Sequence, residues 1–206
     1  RRQRQMCIRD SDRLADLPNV VAMKIMTTLD LPTTMGLYEL LGDRLVVGTV
    51  NFSFTPMLVK FYGMQWSGAW TVEALQSPEK PYFVEMMHLL QQGKIEEALQ
   101  IYWKITPAIK TLYNLMAPLL PKGLHPWPHL KFYQYLVGGN GGIGPVREDR
   151  GVTFTLTPAE RAAFRDAYRD IGIEPAMNDE EFLVGRAAYA RGARAEDVLP
   201  NPQWEA

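Results

Sequence analysis

Residues 19–24 read Asn19-Val20-Val21-Ala22-Met23-Lys24, a short apolar run that ends on a single lysine. Two adjacent β-branched residues, with Pro18 marking the start, predict a short buried strand. The lysine has two interpretations. Its ammonium extends to water from the strand end, or a dry pocket favours the neutral amine, which is a nucleophile toward carbonyl carbon.

Two further strands and two helices are predicted before residue 72. The strands cover residues 45–50 and 66–71, and the helices cover residues 32–41 and 54–62. Strands that alternate with helices in this way form βαβ units with parallel strands. Because the carboxyl ends of parallel strands meet at one edge, Lys24, residues 49–51 and residues 70–71 are expected to converge there.

The remainder of the chain is predicted to be helical. Ser77 is the expected N-cap of the first of these helices, and Thr157-Pro158-Ala159-Glu160 has the pattern of a capping box. The predicted helices cover residues 78–92, 94–116, 125–137, 158–171 and 178–191. This pattern divides the chain into βα units over residues 12–76 and C-terminal helices over residues 77–206.

Composition excludes several function classes. The 206 residues carry a net charge of −1, which gives no electrostatic case for binding nucleic acid or an anionic membrane. No apolar run approaches the roughly 20 residues that a spanning helix needs. Cys7 is the single cysteine, so no intrachain disulfide can form, and a cytoplasmic location is predicted.

Residues 1–11 differ from the rest of the chain in character. They are dense in positive charge, and residues 4–11 resemble an in-frame translation of a transposase-end sequencing adapter. The segment is therefore predicted to be non-native and is excluded from the fold prediction. A basic arm is the alternative. The adapter interpretation implies that the natural protein begins near Asp12 and lacks its true N-terminal part.

An ordered set of motifs resembles the dihydrodipicolinate synthase / N-acetylneuraminate lyase family. Residues 17–24 resemble its Schiff-base lysine strand, and residues 40–43 precede a valine-rich strand as they do in the family. Residues 63–70 resemble its last barrel strand, and residues 81–116 its C-terminal helix pair. The resemblance covers residues 17–173.

The resemblance implies a fold and a reaction. The expected fold is α/β: the C-terminal part of a (β/α)8 TIM barrel, comprising its last three βα units, followed by a C-terminal helical region. The implied activity is that of a Schiff-base lyase, aldolase or dehydratase acting on a 2-oxo acid, of the pyruvate or sugar-acid type, in a homo-oligomeric (tetrameric or dimeric) parent enzyme. The fragment alone is expected to be inactive. A non-catalytic barrel homologue with a binding or regulatory role is the alternative.

The implied site consists of one nucleophile and its pocket. Lys24 is the expected catalytic residue, and Trp70, Asn51 and Thr49 are the expected substrate-binding residues. Residues 48–51 and 68–71 depart from the family's usual motifs, which favours a less common branch over the lysine-biosynthesis activity. No metal and no organic cofactor are implied.

Three other motifs have simpler interpretations. Thr27 and Thr28 could bind a keto acid, although a helix entry with Asp30 is the favoured alternative. The glycine run at residues 138–144 lacks the context of a phosphate-binding loop, so a helix end and loop is predicted. His125 and His129 have the i,i+4 spacing of metal ligands, but no third ligand is obvious.

Overall fold

A computed structural model describes residues 2–25, 30–68, 75–122, 126–144 and 154–206. Within these ranges the strands are β1 (Ala22–Ile25) and β2 (Val46–Thr49). The helices are α1 (Arg2–Ala15), α2 (Leu31–Leu41), α3 (Thr55–Tyr62), α4 (Tyr82–Gln91), α5 (Ile95–Met116), α6 (Trp127–Leu136), α7 (Pro158–Asp170), α8 (Asp179–Val184) and α9 (Arg186–Tyr189), with 3-10 turns at Phe52–Phe54, Ala117–Lys122 and Ala195–Asp197.

The prediction of a TIM-barrel portion is wrong. The sheet found in the described ranges has only two strands of four residues each, and helices make up most of the remainder. The predicted third strand fails where it can be seen, because residues 66–68 have no regular secondary structure. Ser67 and Gly68 are weak strand formers, and a barrel cannot close around two strands.

One βαβ unit is present, as predicted. β1 and β2 run parallel, with Lys24 opposite Gly48 and Ile25 opposite Thr49. α2 connects them, and it begins where Asp30 accepts a hydrogen bond from the Thr33 amide at 2.8 Å. The Tyr38 hydroxyl then donates to the Val47 carbonyl at 3.1 Å, which fixes this helix against β2.

The chain divides into two compact units, each built from two segments. The first unit comprises residues 1–73 and 83–102, and the second comprises residues 74–82 and 103–206. In the first unit Phe52, which is fully buried, stacks on Tyr102 with ring centroids 4.9 Å apart. The predicted boundary after residue 11 falls inside α1. Asp12 in this helix and Asp16 just after it pair with Arg44 at 2.5 and 2.8 Å.

The second unit has an aromatic core. Phe132 and Phe164 are fully buried, and Phe132 meets Phe182 edge to face with 4.9 Å between centroids. The predicted capping box opens α7, because the Thr157 hydroxyl accepts from the Glu160 amide at 3.2 Å and the Glu160 carboxylate accepts from the Thr157 amide at 2.9 Å. This box sets the start of the helix that carries Phe164.

A C-terminal segment closes the second unit. Leu156 forms a parallel bridge with Trp204, and its amide donates to the Gln203 carbonyl at 2.9 Å. The guanidinium of Arg161 lies over the Trp204 ring, 3.9 Å from the centroid. The segment is therefore held by both backbone pairing and cation–π stacking.

Two predicted helix boundaries are wrong. Ser77 caps a turn by accepting from the Lys80 amide at 3.2 Å, and the following helix begins only at Tyr82. Pro81 accounts for this delay, because a residue before proline is disfavoured in helical conformation. The last predicted helix breaks at Gly185, where φ is +89°.

No helix within the described ranges has both the length and the apolar character needed to cross a lipid bilayer.

Candidate functional site

Lys24 lies at the carboxyl edge of the two-stranded sheet. Its backbone is opposite Gly48, and the amide of Val50 continues the pairing by donating to the Ile25 carbonyl at 3.2 Å. Because Lys24 pairs with Gly48, Thr49 lies one residue further toward the carboxyl edge than Lys24 does. Two of the three segments expected to converge, the ends of β1 and β2, do lie together.

The two faces of this edge differ. Side chains of paired residues in a parallel sheet project to the same face, and successive residues alternate. Lys24 therefore shares a face with Gly48, whereas Thr49 shares the opposite face with Ile25. Ile25 and Thr49 are both buried. Lys24 and Thr49 thus share an edge of the sheet but not a face.

The polar groups of Thr49 and Asn51 serve local structure. The Thr49 hydroxyl accepts from the Asn51 amide at 3.2 Å. The Asn51 side-chain carbonyl accepts from the Ser53 amide at 3.1 Å and starts the 3-10 turn. Their predicted role in substrate binding would have to coexist with these contacts. Trp70, Thr27 and Thr28, the other predicted or possible substrate-binding residues, lie outside the described residues.

A segment that the sequence analysis did not select borders Lys24. A Cβ placed on Gly68 would lie 3.4 Å from the Lys24 Nζ and 3.2 Å from Cζ3 of Trp66. Gly48 is closer still to the indole, since a Cβ there would lie 2.6 Å from Trp66 Cε2. Gly48, within a valine-rich strand, was the available signal, because glycine inside a strand often marks a close approach.

Lys24 itself is exposed. The residues in the described part of its surroundings do not enclose it in the dry pocket that the sequence-based hypothesis requires. Residues 26–29, which follow β1, and residues 69–74, which follow Gly68, lie outside the described ranges. Imine chemistry at this position therefore requires walls in addition to those supplied by Trp66 and Gly68.

The glycine run belongs to a helix end and loop, as predicted. The amides of Gly138 and Gly139 donate to the carbonyls of Tyr135 and Gln134 at the end of α6. The amides of Gly142 and Ile143 donate to carbonyls of α8, at 2.7 and 3.0 Å. These amides already have partners, so they do not form a phosphate cradle.

His129 is a buried core residue of the second unit. It is fully buried on α6 and meets Phe164 edge to face. Its Nε2 lies 3.3 Å from Glu160 Oε1, within ion-pair distance but not aligned for a hydrogen bond. Burial lowers the pKa of His129, and the Glu160 carboxylate only partly opposes this. Its predicted companion, His125, is outside the described residues, whose acidic, histidine and cysteine side chains form no cluster of three suited to a metal.

The second unit also contains a cavity of about 590 Å³. Its cationic lining residues are Lys80 and Arg186. The Lys80 ammonium donates to the Gly172 carbonyl, and Arg186 Nε donates to Glu181 at 2.7 Å. Both cations already have partners, so this cavity is a weaker candidate for recognising a keto-acid carboxylate than its volume suggests.

Comparisons with protein-family models, with curated proteins and with solved structures gave no match to this chain.

Proposed function

We propose that Lys24 is the nucleophilic amine of a Schiff-base-forming lyase, aldolase or dehydratase that acts on a 2-oxo acid. The observation that carries the proposal is the position of Lys24 at the carboxyl edge of β1, with its Nζ beside Gly68. The carboxyl edge of parallel strands is where α/β proteins place their ligands. The resemblance of residues 17–24 to a Schiff-base lysine strand supplies the reaction class.

The chemistry follows from the amine. Neutral Lys24 adds to C2 of the 2-oxo acid, the carbonyl oxygen becomes a hydroxyl, and loss of water leaves a C=N imine. The protonated imine withdraws electrons and stabilises a carbanion or enamine at C3. A carbon–carbon bond or a carbon–oxygen bond at the adjacent position can then break. Neither step requires a metal or an organic cofactor.

The proposal has three further parts. Substrate binding by Trp70, Asn51 and Thr49, a homo-oligomeric assembly, and a cytoplasmic location remain predictions. The exposure of Lys24 favours a second candidate function, a non-catalytic binding or regulatory role. The two candidates differ in one measurable property, which is whether a covalent adduct forms at Lys24.

Reductive trapping tests the proposal. The protein is incubated with pyruvate and cyanoborohydride, digested, and mapped by mass spectrometry. We expect a reduced pyruvyl adduct on Lys24 in preference to Lys60, a lysine of the same unit whose ammonium lies 5.2 Å from the Phe61 ring centroid. Lys24→Arg should abolish the adduct, whereas Lys60→Arg should leave it unchanged.

Two results would contradict the proposal. One is an unmodified Lys24. The other is modification spread evenly over the surface lysines, which would reflect general amine reactivity. Pyruvate that protects the protein against thermal unfolding without leaving an adduct would instead support the binding role.

A further inference from the structure

The C-terminal segment, residues 201–206, is attached to the second unit in the way that a sheet edge takes up an extended peptide. The amide of Leu156 donates to the Gln203 carbonyl at 2.9 Å, and its carbonyl accepts from the Glu205 amide at 3.4 Å. Main-chain hydrogen bonds of this kind supply affinity in strand addition, and side-chain pockets supply specificity. The residues that form the pocket therefore indicate which peptides can bind.

The pocket is built for an aromatic side chain. The indole of Trp204 contacts the Arg161 guanidinium, which lies 3.9 Å from the ring centroid, and the Phe182 ring, with 5.8 Å between centroids. A cation over an indole and a pair of aromatic rings both add to the gain from burial. A non-aromatic side chain would make neither contact. The groove formed by Leu156, Arg161 and Phe182 thus favours tryptophan at this position of its ligand.

Arg161 is oriented by residues outside the C-terminal segment. Its Nε donates to Asp179 at 3.0 Å, and its Nη1 donates to the Leu156 carbonyl at 3.0 Å. The same Nη1 also donates to the Glu205 carbonyl at 2.6 Å. The guanidinium therefore contacts the indole and the main chain of the segment together, and the ion pair with Asp179 holds it ready for a segment that arrives.

The C-terminal segment lies at the surface, whereas the groove beneath it is buried. None of residues 201–206 is buried, and residues 199–200, which connect them to the rest of the unit, are exposed. Leu156 and Phe182 are fully buried, and Arg161 is 5% exposed. Detachment would remove no core residue, but it would uncover the side chains that Trp204 contacts. Water is a poor substitute for the indole there, so refilling of the groove is favoured.

We propose that the groove is a peptide-binding site that also takes residues 201–206 of a second copy of this chain, so that two copies exchange their C-terminal segments. A second copy is the partner because its segment carries the tryptophan and the main-chain groups that the groove already binds. The same contacts form in the exchanged dimer, so a high protein concentration favours it. Residues 199–200 are the hinge. This inference is independent of the chemistry at Lys24.

A peptide titration tests the groove. The full chain with Trp204→Ala keeps the groove but lacks the indole that fills it. A synthetic peptide with the sequence of residues 201–206 should bind this variant at one site, and should bind the unaltered chain more weakly, because the tethered segment competes. The same peptide with Trp204→Ala should bind at least about ten-fold more weakly. Trp103→Ala, which alters an exposed tryptophan of the same unit, should behave as the unaltered chain does.

Complementary variants test the exchange. Arg161→Met damages the groove but leaves the C-terminal segment intact, whereas Trp204→Ala does the reverse. Light scattering during size exclusion should show that each variant alone is a monomer and that their mixture forms a heterodimer. The unaltered chain should pass from monomer to dimer as its concentration rises, and the free peptide should reverse this. The titration needs no change in the groove, so it decides the role of the groove even where Arg161→Met fails to fold.

Three results would overturn the proposal. Failure of the peptide to bind the Trp204→Ala chain would show that the groove is not a peptide-binding site. Peptide binding by a chain that stays monomeric at every concentration would restrict the groove to its own segment and exclude the exchange. A dimer that persists in Trp204→Ala would place the interface between copies elsewhere.

Discussion

The two units of this chain differ in the burial of their charged side chains. In the second unit, charged side chains are buried and paired: Arg161 and Arg165 are 5% and 9% exposed, and both contact Asp179. In the first unit, the lysine at the strand edge is exposed beside a segment held by two hydrogen bonds. Paired burial favours one rigid arrangement, whereas an open edge leaves an amine accessible. If Lys24 reacts as we propose, the ion pairs that stabilise the second unit and the reactive amine lie in different units.

The largest expected effect comes from removing an aromatic side chain of the second unit. Phe132 is fully buried, so Phe132→Ala should cost about 3–5 kcal/mol of stability through lost burial and a residual cavity. Val46→Ala, at a site that is 39% exposed in β2, should cost about 0.5 kcal/mol. Hydrogen exchange of peptides from α6 and β2 measures each effect locally. Equal losses of stability for Phe132→Ala and Val46→Ala would contradict the difference between the two units.

The second largest loss of stability is expected when the ion pairs of Arg161 and Arg165 with Asp179 are removed. Asp179→Ala leaves two guanidinium groups without their carboxylate. The loss should be about 2–3 kcal/mol, below the roughly 3–5 kcal/mol of a fully buried pair, because the Asp179 side chain is 34% exposed. Asp166→Ala removes an exposed partner of Arg169 and should cost less than about 0.5 kcal/mol. Urea unfolding followed through α7 compares the two, and a neutral Asp179→Ala would show that the cluster is not stabilising.

Alanine substitutions at two glycines of the first unit should change its stability in opposite directions. Gly48→Ala forces the Trp66 indole off the sheet and should destabilise the unit by about 1–2 kcal/mol. Gly36→Ala, in the open interior of α2, should stabilise it by about 0.5–1 kcal/mol, because nothing lies within 4 Å of the added methyl group. Thermal unfolding checks both. A harmless Gly48→Ala would mean that the indole has another place to lie.

The smallest effect is an acid sensitivity of the second unit. The folded-state pKa of His129 is lowered by burial, so the unfolded chain binds its proton more readily. Stability is then full above the unfolded value of about 6.5 and falls below it, by at most about 1.4 kcal/mol per pH unit. His129→Gln should reduce this loss of stability at acidic pH, whereas His88→Gln, at an exposed position, should not. An identical pH profile for His129→Gln would exclude His129 as its source.

Glu160 acts in a separate and more acidic window. Burial raises its pKa, but the amide and hydroxyl of Thr157 outweigh that and lower it overall. Its contribution is therefore present above the ordinary carboxyl value and is lost as the pH falls below it. Stability that is lost as the pH first falls below the ordinary histidine value belongs to His129, and stability that is lost only below the ordinary carboxyl value belongs to the capping box.

Local patterns in the sequence predicted local structure well. The β-branched runs predicted both strands, and Thr157 with Glu160 predicted the start of α7. The interpretation that failed was global, since it took three predicted strands to be the last three βα units of a barrel. Residues 66–68 explain this, because their attachment to β2 runs through the Trp66 and Ser67 side chains, and periodicity of apolar residues carries no signal for such contacts.

Only part of the candidate site could be predicted, because sequence patterns show local structure and not the contacts between segments. The strand pattern located Lys24, but the exposure of its side chain depends on what packs around it, which one strand cannot reveal. Thr49 and Asn51 were chosen for their place along the chain, and the alternation of faces separates Thr49 from Lys24. Trp66 was missed because its importance arises from Gly48, a residue selected only as part of a strand.

The stacking of Arg161 on Trp204 has an optical consequence. We expect a guanidinium held 3.9 Å above an indole to change the emission of that indole, and we expect the change to disappear when the C-terminal segment detaches. Trp66 offers a second chromophore, in the other unit, that rests on a strand and faces a lysine. Variants that retain only Trp66 or only Trp204 of the five tryptophans would let fluorescence report each unit separately, so the order in which the units melt could be read directly.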